Sequence, residues 1–124
     1  MGMRQLIQIS KKLAYSTKYS LDGLYALWLK EQSFRLEVYV SAILVPLALY
    51  LPFNNIYKLI LIFLLLLLIT TEILNSAIEV VVDRISMEIH PQSKFAKDLG
   101  CASVTMIVLM NVIAWIFALA SIWY

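Results

Sequence analysis

The sequence predicts an all-α membrane protein in which an N-terminal amphipathic surface helix precedes three transmembrane helices. Three observations predict it: the composition, two long uncharged runs, and a helical polar/apolar alternation confined to the first thirty residues. Of 124 residues, 62% are hydrophobic and 15% are charged, and the mean hydropathy is +0.84. A soluble domain of this size leaves much of its surface in water, and 10 Lys+Arg with 8 Asp+Glu are too few to cover it. Only 3 Gly and 3 Pro exclude a disordered or fibrous chain. The single cysteine, Cys101, excludes an internal disulfide and a multi-Cys zinc site. A net charge of +2 is no footprint for nucleic acid. Residues 1–124 therefore read as one integral-membrane domain.

The surface helix is expected over about 5–32. At ~100° per residue, Leu6, Ile9, Leu13, Leu21, Leu24, Leu27 and Trp28 fall within about 60° of one direction. Arg4, Lys11, Lys12, Lys18 and Asp22 lie opposite, a pattern suited to a helix lying on anionic headgroups. A break is expected near Ser16, Thr17 or Gly23. No signal-peptide core or small-residue cleavage site is present.

The three spans are expected over about 36–53, 56–83 and 97–122. Val38 to Tyr57 gives 20 consecutive uncharged residues and Leu99 to Tyr124 gives 26. Each run is long enough to cross a hydrocarbon core that needs ~20 apolar residues. Leu59 to Thr71 is an uncharged block of only 13, so the middle span has to take in Glu72 and bring Glu79 near the membrane. Pro46 should bend the first span, and Leu51-Pro52-Phe53-Asn54-Asn55 punctuates a tight turn. Lys58 can snorkel to the near interface. Six Lys and Arg precede the first span, one (Lys58) lies between the first and second, and three (Arg84, Lys94, Lys97) lie between the second and third. The positive-inside rule then puts the N-terminus and second loop in the cytoplasm and the C-terminus outside.

The second span carries the strongest local signal. On a helix, Glu72, Ser76, Glu79 and Asp83 fall within about 60° of each other, with Asn75 at the edge of the stripe. A charge at mid-bilayer costs roughly 2.5–3.5 kcal/mol even on the lenient insertion scale, so such a row must face protein, water, metal or an opposite charge. The blander possibility is that the acids pair with Arg35 or Arg84 to hold helices together. Glu31 is a second anomaly: if the first helix reaches it, its carboxylate lies on the apolar side, and if the helix ends earlier it is a solvated residue. The second loop supplies Arg84, Glu88, His90, Lys94, Lys97 and Asp98 in a segment opened by Pro91 and closed by Gly100. Lys94 and Lys97, one turn apart, suit phosphate oxygens, although juxtamembrane lysines also serve as plain topology signals. Carboxylates beside lysines at a membrane surface suit Mg²⁺ and polyphosphate, because Mg²⁺ prefers one or two carboxylates plus phosphate oxygens. Gly2, Gly23 and Gly100 are isolated, so neither a P-loop nor a kinase glycine loop can be built.

The run Glu72-Ile-Leu-Asn-Ser-Ala-Ile-Glu79, continuing to Asp83-Arg84-Ile85, resembles the signature of the prokaryotic integral-membrane diacylglycerol kinase family. The resemblance extends to Tyr19-Ser20-Leu-Asp-Gly23-Leu-Tyr-Ala-Leu-Trp28, to Glu31-Gln-Ser33-Phe34-Arg35-Leu-Glu37, and to His90 followed by Ala96-Lys97-Asp98-Leu-Gly100. It covers the chain from about Lys12 onward and departs from the family at Tyr15, Asp22 and Tyr25, where basic residues are usual. It implies a three-span homotrimer that transfers the γ-phosphoryl group of MgATP to a lipid hydroxyl at the inner membrane surface. It further implies that Glu72 is the catalytic base, with Asn75 positioning it and Asp83 in support. Glu31 and Glu79 match the metal-holding acids. Lys12, Tyr19, Glu88, His90, Lys97 and Asp98, with those two acids, match nucleotide contacts. Ser20, Trp28, Ser33, Phe34, Arg35 and Glu37 match residues that, with Glu72, meet the lipid. Diacylglycerol is the implied substrate, and Asp83-Arg84-Ile85 and Phe34-Arg35 favour it over the undecaprenol of a related branch.

Two readings of other classes stand beside a lipid kinase. A small oligomeric proton or cation channel would use the intramembrane acids as a relay. The clustering of those acids toward one membrane face leaves such a relay without a path through the other half. An accessory subunit without chemistry would tolerate replacement of Glu31, Glu72 and Glu79 by Gln together.

Overall fold

The computed structural model describes residues 2–85 and 88–124, and the described residues form four helices. These are α1 (Met3–Lys30), α2 (Gln32–Tyr50), α3 (Asn55–Ile85) and α4 (Pro91–Trp123). The last three are long and apolar enough to cross a membrane. At ~1.5 Å per residue the 31 residues of α3 extend about 46 Å, well beyond a hydrocarbon core of ~30 Å. The excess of about 16 Å is the length of roughly 11 helical residues. The chain divides into two compact units, Met1–Gln32 and Ser33–Tyr124.

The N-terminal unit is one uninterrupted helix with no buried residue. The break expected near Ser16, Thr17 or Gly23 does not occur. Hydroxyl side chains here turn back onto their own helix: Thr17 Oγ1 donates to the Leu13 carbonyl at 2.9 Å, and Ser20 Oγ donates to the Ser16 carbonyl at 2.9 Å. Gly23 keeps helical φ, so its missing side chain costs propensity without breaking the ladder. Gln5 opens the helix by accepting the Gly2 N–H at 3.1 Å. It closes at Lys30, because Glu31 is extended (φ −110°, ψ 113°) while its N–H still donates to the Leu27 carbonyl.

In the second unit, α3 and α4 are the closely packed pair. The buried positions of α3 are Leu61, Leu65, Leu68, Glu72, Asn75 and Ser76. From Leu61 to Asn75 they advance in alternating steps of four and three, the spacing of a helix meeting a neighbour at a shallow left-handed crossing. On α4 the buried residues Gly100, Ile107, Asn111 and Ala118 follow the same rhythm. Phe34, Ser41 and Ala48 on α2 repeat every seven residues. Pro46 lies within α2, which continues through it.

One end of this unit is apolar. Ala48, Phe53, Leu61 and Ala118 form a buried cluster, with Leu51, Tyr57 and Trp115 packed on it. The rings of Phe53 and Trp115 meet edge to face at 6.1 Å and 75°. Leu51 to Asn54 makes the expected turn: Asn54 Oδ1 accepts the Tyr57 N–H at 2.9 Å, and Lys58 Nζ reaches back to the Leu49 carbonyl at 2.9 Å. Midway along the seam, Asn111 Nδ2 donates both to the Leu64 carbonyl of α3 at 3.0 Å and to its own Ile107 carbonyl at 2.9 Å.

Candidate active site

The acid stripe is the continuation of the packing seam. Where α3 presents Leu61, Leu65 and Leu68 at one end, the same register delivers Glu72 and Asn75, then the half-buried Glu79, toward the other. Packing geometry thus brings the polar groups into contact with the neighbouring helices. Glu72 is 6% exposed and Ser76 5%. The Glu37 carboxyl of α2 lies against that of Glu72, within hydrogen-bonding reach, and its Oε2 is buried. Two helices therefore contribute a carboxyl each to one point, from the buried Glu72 and the half-buried Glu37. Phe34, one turn before Glu37, is buried on the same side of α2, whereas Ser33 is exposed and Arg35 half-buried.

Toward the far end of α3, Asp83 Oδ1 accepts an ion-paired hydrogen bond from Lys97 Nζ of α4 at 2.5 Å. Glu79 acts electrostatically on the same ammonium. Lys94 pairs with Asp98 at 2.6 Å, one turn apart on α4. Both pairs are well exposed, so solvent screening leaves each a weak contributor to stability. Their effect is to hold two ammonium groups and two carboxylates in place around a cavity of about 250 Å³. That cavity is lined by Asp83, Glu88, His90, Ser93, Lys94, Lys97 and Asp98.

Pro91 and Gly100, which frame the second loop in sequence, both belong to α4. Pro91 takes the first position, where its missing N–H is no loss. His90 is the N-cap: its Nδ1 accepts the Gln92 N–H at 3.1 Å. Nδ1 is then the unprotonated ring nitrogen, and Nε2 is left as the one that can donate. The cap fixes the orientation of His90 on the cavity wall.

Lys12, Tyr19, Ser20, Trp28 and Glu31 belong to the N-terminal unit. Lys12 and Tyr19, seven residues apart, lie on one face of α1, and both are exposed. Glu31 caps the end of that helix. Among the described residues no group of three or more His, Cys, Asp or Glu side chains forms a metal cage. Carboxylates beside lysines, as Asp83, Glu88 and Asp98 stand beside Lys94 and Lys97 around this cavity, are nonetheless a donor set that suits Mg²⁺ arriving with a polyphosphate, and Glu79 lies one turn before Asp83.

The prokaryotic diacylglycerol kinase family model matches residues 18–119, which span this site and all three candidate membrane helices. The chain belongs to that family. It is 44% identical over 103 residues to a diacylglycerol kinase of Haemophilus influenzae, covering 83% of this chain and 87% of that relative. To a diacylglycerol kinase of Escherichia coli K12 it is 43% identical over 103 residues, covering 83% and 84%. To one of Pseudomonas aeruginosa it is 38% identical over 105 residues, 85% of each. Membership in a membrane-kinase family agrees with an all-helical chain whose polar residues gather at one end of its spans. Asn111 and Gly100 were not singled out as site or packing residues from the sequence. Asn111 had a signal, a carboxamide inside a long uncharged run, whereas Gly100 was legible only as the close of the second loop and the end of the Ala96-Lys97-Asp98-Leu-Gly100 run.

Proposed function

We propose that this protein is an ATP-dependent lipid kinase that phosphorylates the free hydroxyl of diacylglycerol to phosphatidic acid. The observation that carries the reading is the composition of the α3–α4 seam. A buried carboxyl at Glu72 is followed on the same helix, about 10 Å along the axis, by Glu79, and one turn further Asp83 pairs with Lys97 at the edge of a cavity that both line. One end suits proton removal from an alcohol, the other an anionic donor.

In the proposed reaction Glu72 accepts the proton of the lipid hydroxyl. The hydroxyl oxygen attacks the γ-phosphorus, the bond from that phosphorus to the β-bridging oxygen breaks, and ADP leaves with the bonding electrons. Phosphoryl transfer of this kind needs mainly positioning and charge neutralisation. Glu37 holds the Glu72 carboxyl from α2. Lys97, released from Asp83, meets phosphate oxygens, and Asp98, Glu88, His90, Lys12 and Tyr19 complete the nucleotide contacts. Glu79 and Glu31 would hold Mg²⁺ arriving with ATP, and the ion would supply neutralisation of the phosphate charge. Ser20, Trp28, Ser33, Phe34 and Arg35 line the side from which lipid arrives.

The chain sits in the bacterial inner membrane with its N-terminus and second loop in the cytoplasm, where ATP is available, and its C-terminus outside. Helix α1 lies on the membrane surface through Leu6, Ile9, Leu13, Leu21 and Leu24. Three spans are few to enclose a site, and a homotrimer with shared active sites completes it.

The test is transfer of label from γ-labelled ATP in mixed micelles containing diacylglycerol, with undecaprenol as competitor. Label should appear in phosphatidic acid only with Mg²⁺ present. Glu72→Gln should reduce turnover by roughly a thousandfold or more while nucleotide binding persists. Undecaprenol outcompeting diacylglycerol would move the substrate, and no transfer by intact protein would sink the reading.

A further inference from the structure

Gly100 is buried inside α4, one turn beyond Lys97. Its φ is not positive, so the backbone at this point does not require glycine. In a helix interior glycine is less favourable than alanine, and only a demand for space accounts for it here. The demand is visible. A Cβ placed on Gly100 would overlap Asn75 Oδ1 and lie 3.2 Å from Asn75 Cγ, whereas Gly2 and Gly23 have nothing within 4 Å. The side-chain amide of Asn75 therefore fills the volume that any other residue at 100 would take.

Asn75 itself is 9% exposed, and its Oδ1 accepts no hydrogen bond among the described residues. A buried amide oxygen in that condition needs another reason to stay where it is. The Cα–H edge of Gly100 supplies a wall and a weak C–H···O contact. Asn75 lies three residues after Glu72 and four before Glu79, on the face that carries both.

We propose that Gly100 is a positioning residue for the reaction: by lacking a side chain it seats the Asn75 amide, and through Asn75 it sets the Glu72 carboxyl. The same contact fixes how closely α4 approaches α3 one turn from Lys97. The inference rests on the reading of Glu72 as the base, and it assigns to α4 a part in arranging a carboxyl carried by α3.

The test compares Gly100→Ala, Asn75→Ala and the double variant in the micelle assay. Alongside it, the side-chain NH₂ resonance of Asn75 is recorded in ¹⁵N-labelled protein. Gly100→Ala should lower kcat by roughly ten- to a hundredfold with KM for ATP held within about twofold. It should also move the Asn75 resonance. The double variant should be no slower than Asn75→Ala alone, because removing the amide removes the overlap. Losses that multiply, or a Gly100→Ala variant with normal kcat and an unmoved resonance, would overturn the proposal. If Gly100→Ala does not fold, the double variant should fold and match Asn75→Ala. Its failure to fold would assign Gly100 to packing alone and refute the seating of Asn75. Normal turnover in Glu72→Gln would sink the assignment of the base, while the resonance shift would still report on the seating.

Discussion

Glu37 and Glu72 meet carboxyl to carboxyl in the interior of a helix assembly, where acids are rare. Glu72 announces itself in the sequence because it interrupts an apolar run that has to cross a membrane. Glu37 does not, since it stands near the start of its span among other polar residues, and its contact depends on the register of α2 against α3. The family resemblance gives Glu37 a place beside the lipid; the structure sets it against Glu72. This has a measurable consequence. Glu37→Gln keeps a group that can donate a hydrogen bond to the Glu72 carboxyl, and kcat should fall only a few-fold. Glu37→Leu removes that bond at a buried site, a loss of about 1–3 kcal/mol, and kcat should fall roughly ten- to a hundredfold. Steady-state kinetics of the two variants checks this, and equal losses would show that the bond is not what Glu37 contributes.

At the scale of the helix, α3 and α4 share a seam whose chemistry changes along its length while its spacing does not. Periodicity made the acidic face of α3 legible, because residues three and four apart must share a side. Its partner could not be read in the same way, since the facing residues Gly100, Ile107, Asn111 and Ala118 depend on how the two helices are placed along each other. Asn111 spans the seam with one donor bonded to both helices, and its Oδ1 is buried without an acceptor role among the described residues. Side-chain hydrogen bonds between membrane helices average about 0.6 kcal/mol. Asn111→Leu, which keeps the branched shape and the number of side-chain heavy atoms, should therefore change unfolding free energy by less than about 1 kcal/mol. Asn111→Ala, which also opens a cavity, should cost about 1–3 kcal/mol more. Equilibrium unfolding in mixed detergent measures both, and a large loss in Asn111→Leu would make the bond a principal support. The uninterrupted α1 carries the complementary lesson: Ser16, Thr17 and Gly23 look like breakers in sequence, yet the helix runs through all three, and the Thr17 and Ser20 hydroxyls bond carbonyls of their own helix.

For the molecule as a whole, the number and order of the spans followed from hydropathy, and the proposed orientation from where ten basic residues sit. That orientation can be tested with single-cysteine variants in spheroplasts. With Cys101→Ser as background, a cysteine at Tyr124 should react with a membrane-impermeant maleimide from outside. A cysteine at Gln92 should react only after permeabilisation, and the reverse pattern would invert the topology. The continuity of α3 carries a wider consequence. The same rod carries the apolar seam of Leu61, Leu65 and Leu68 and the acids Glu72 and Glu79, so the depth of the carboxyls in a membrane is not adjustable on its own. A thicker or thinner bilayer must tilt the rod or deform around it. On the proposed reading of Glu72, lipid composition thereby becomes a physical input to catalysis, acting through the depth at which hydroxyl and acid meet.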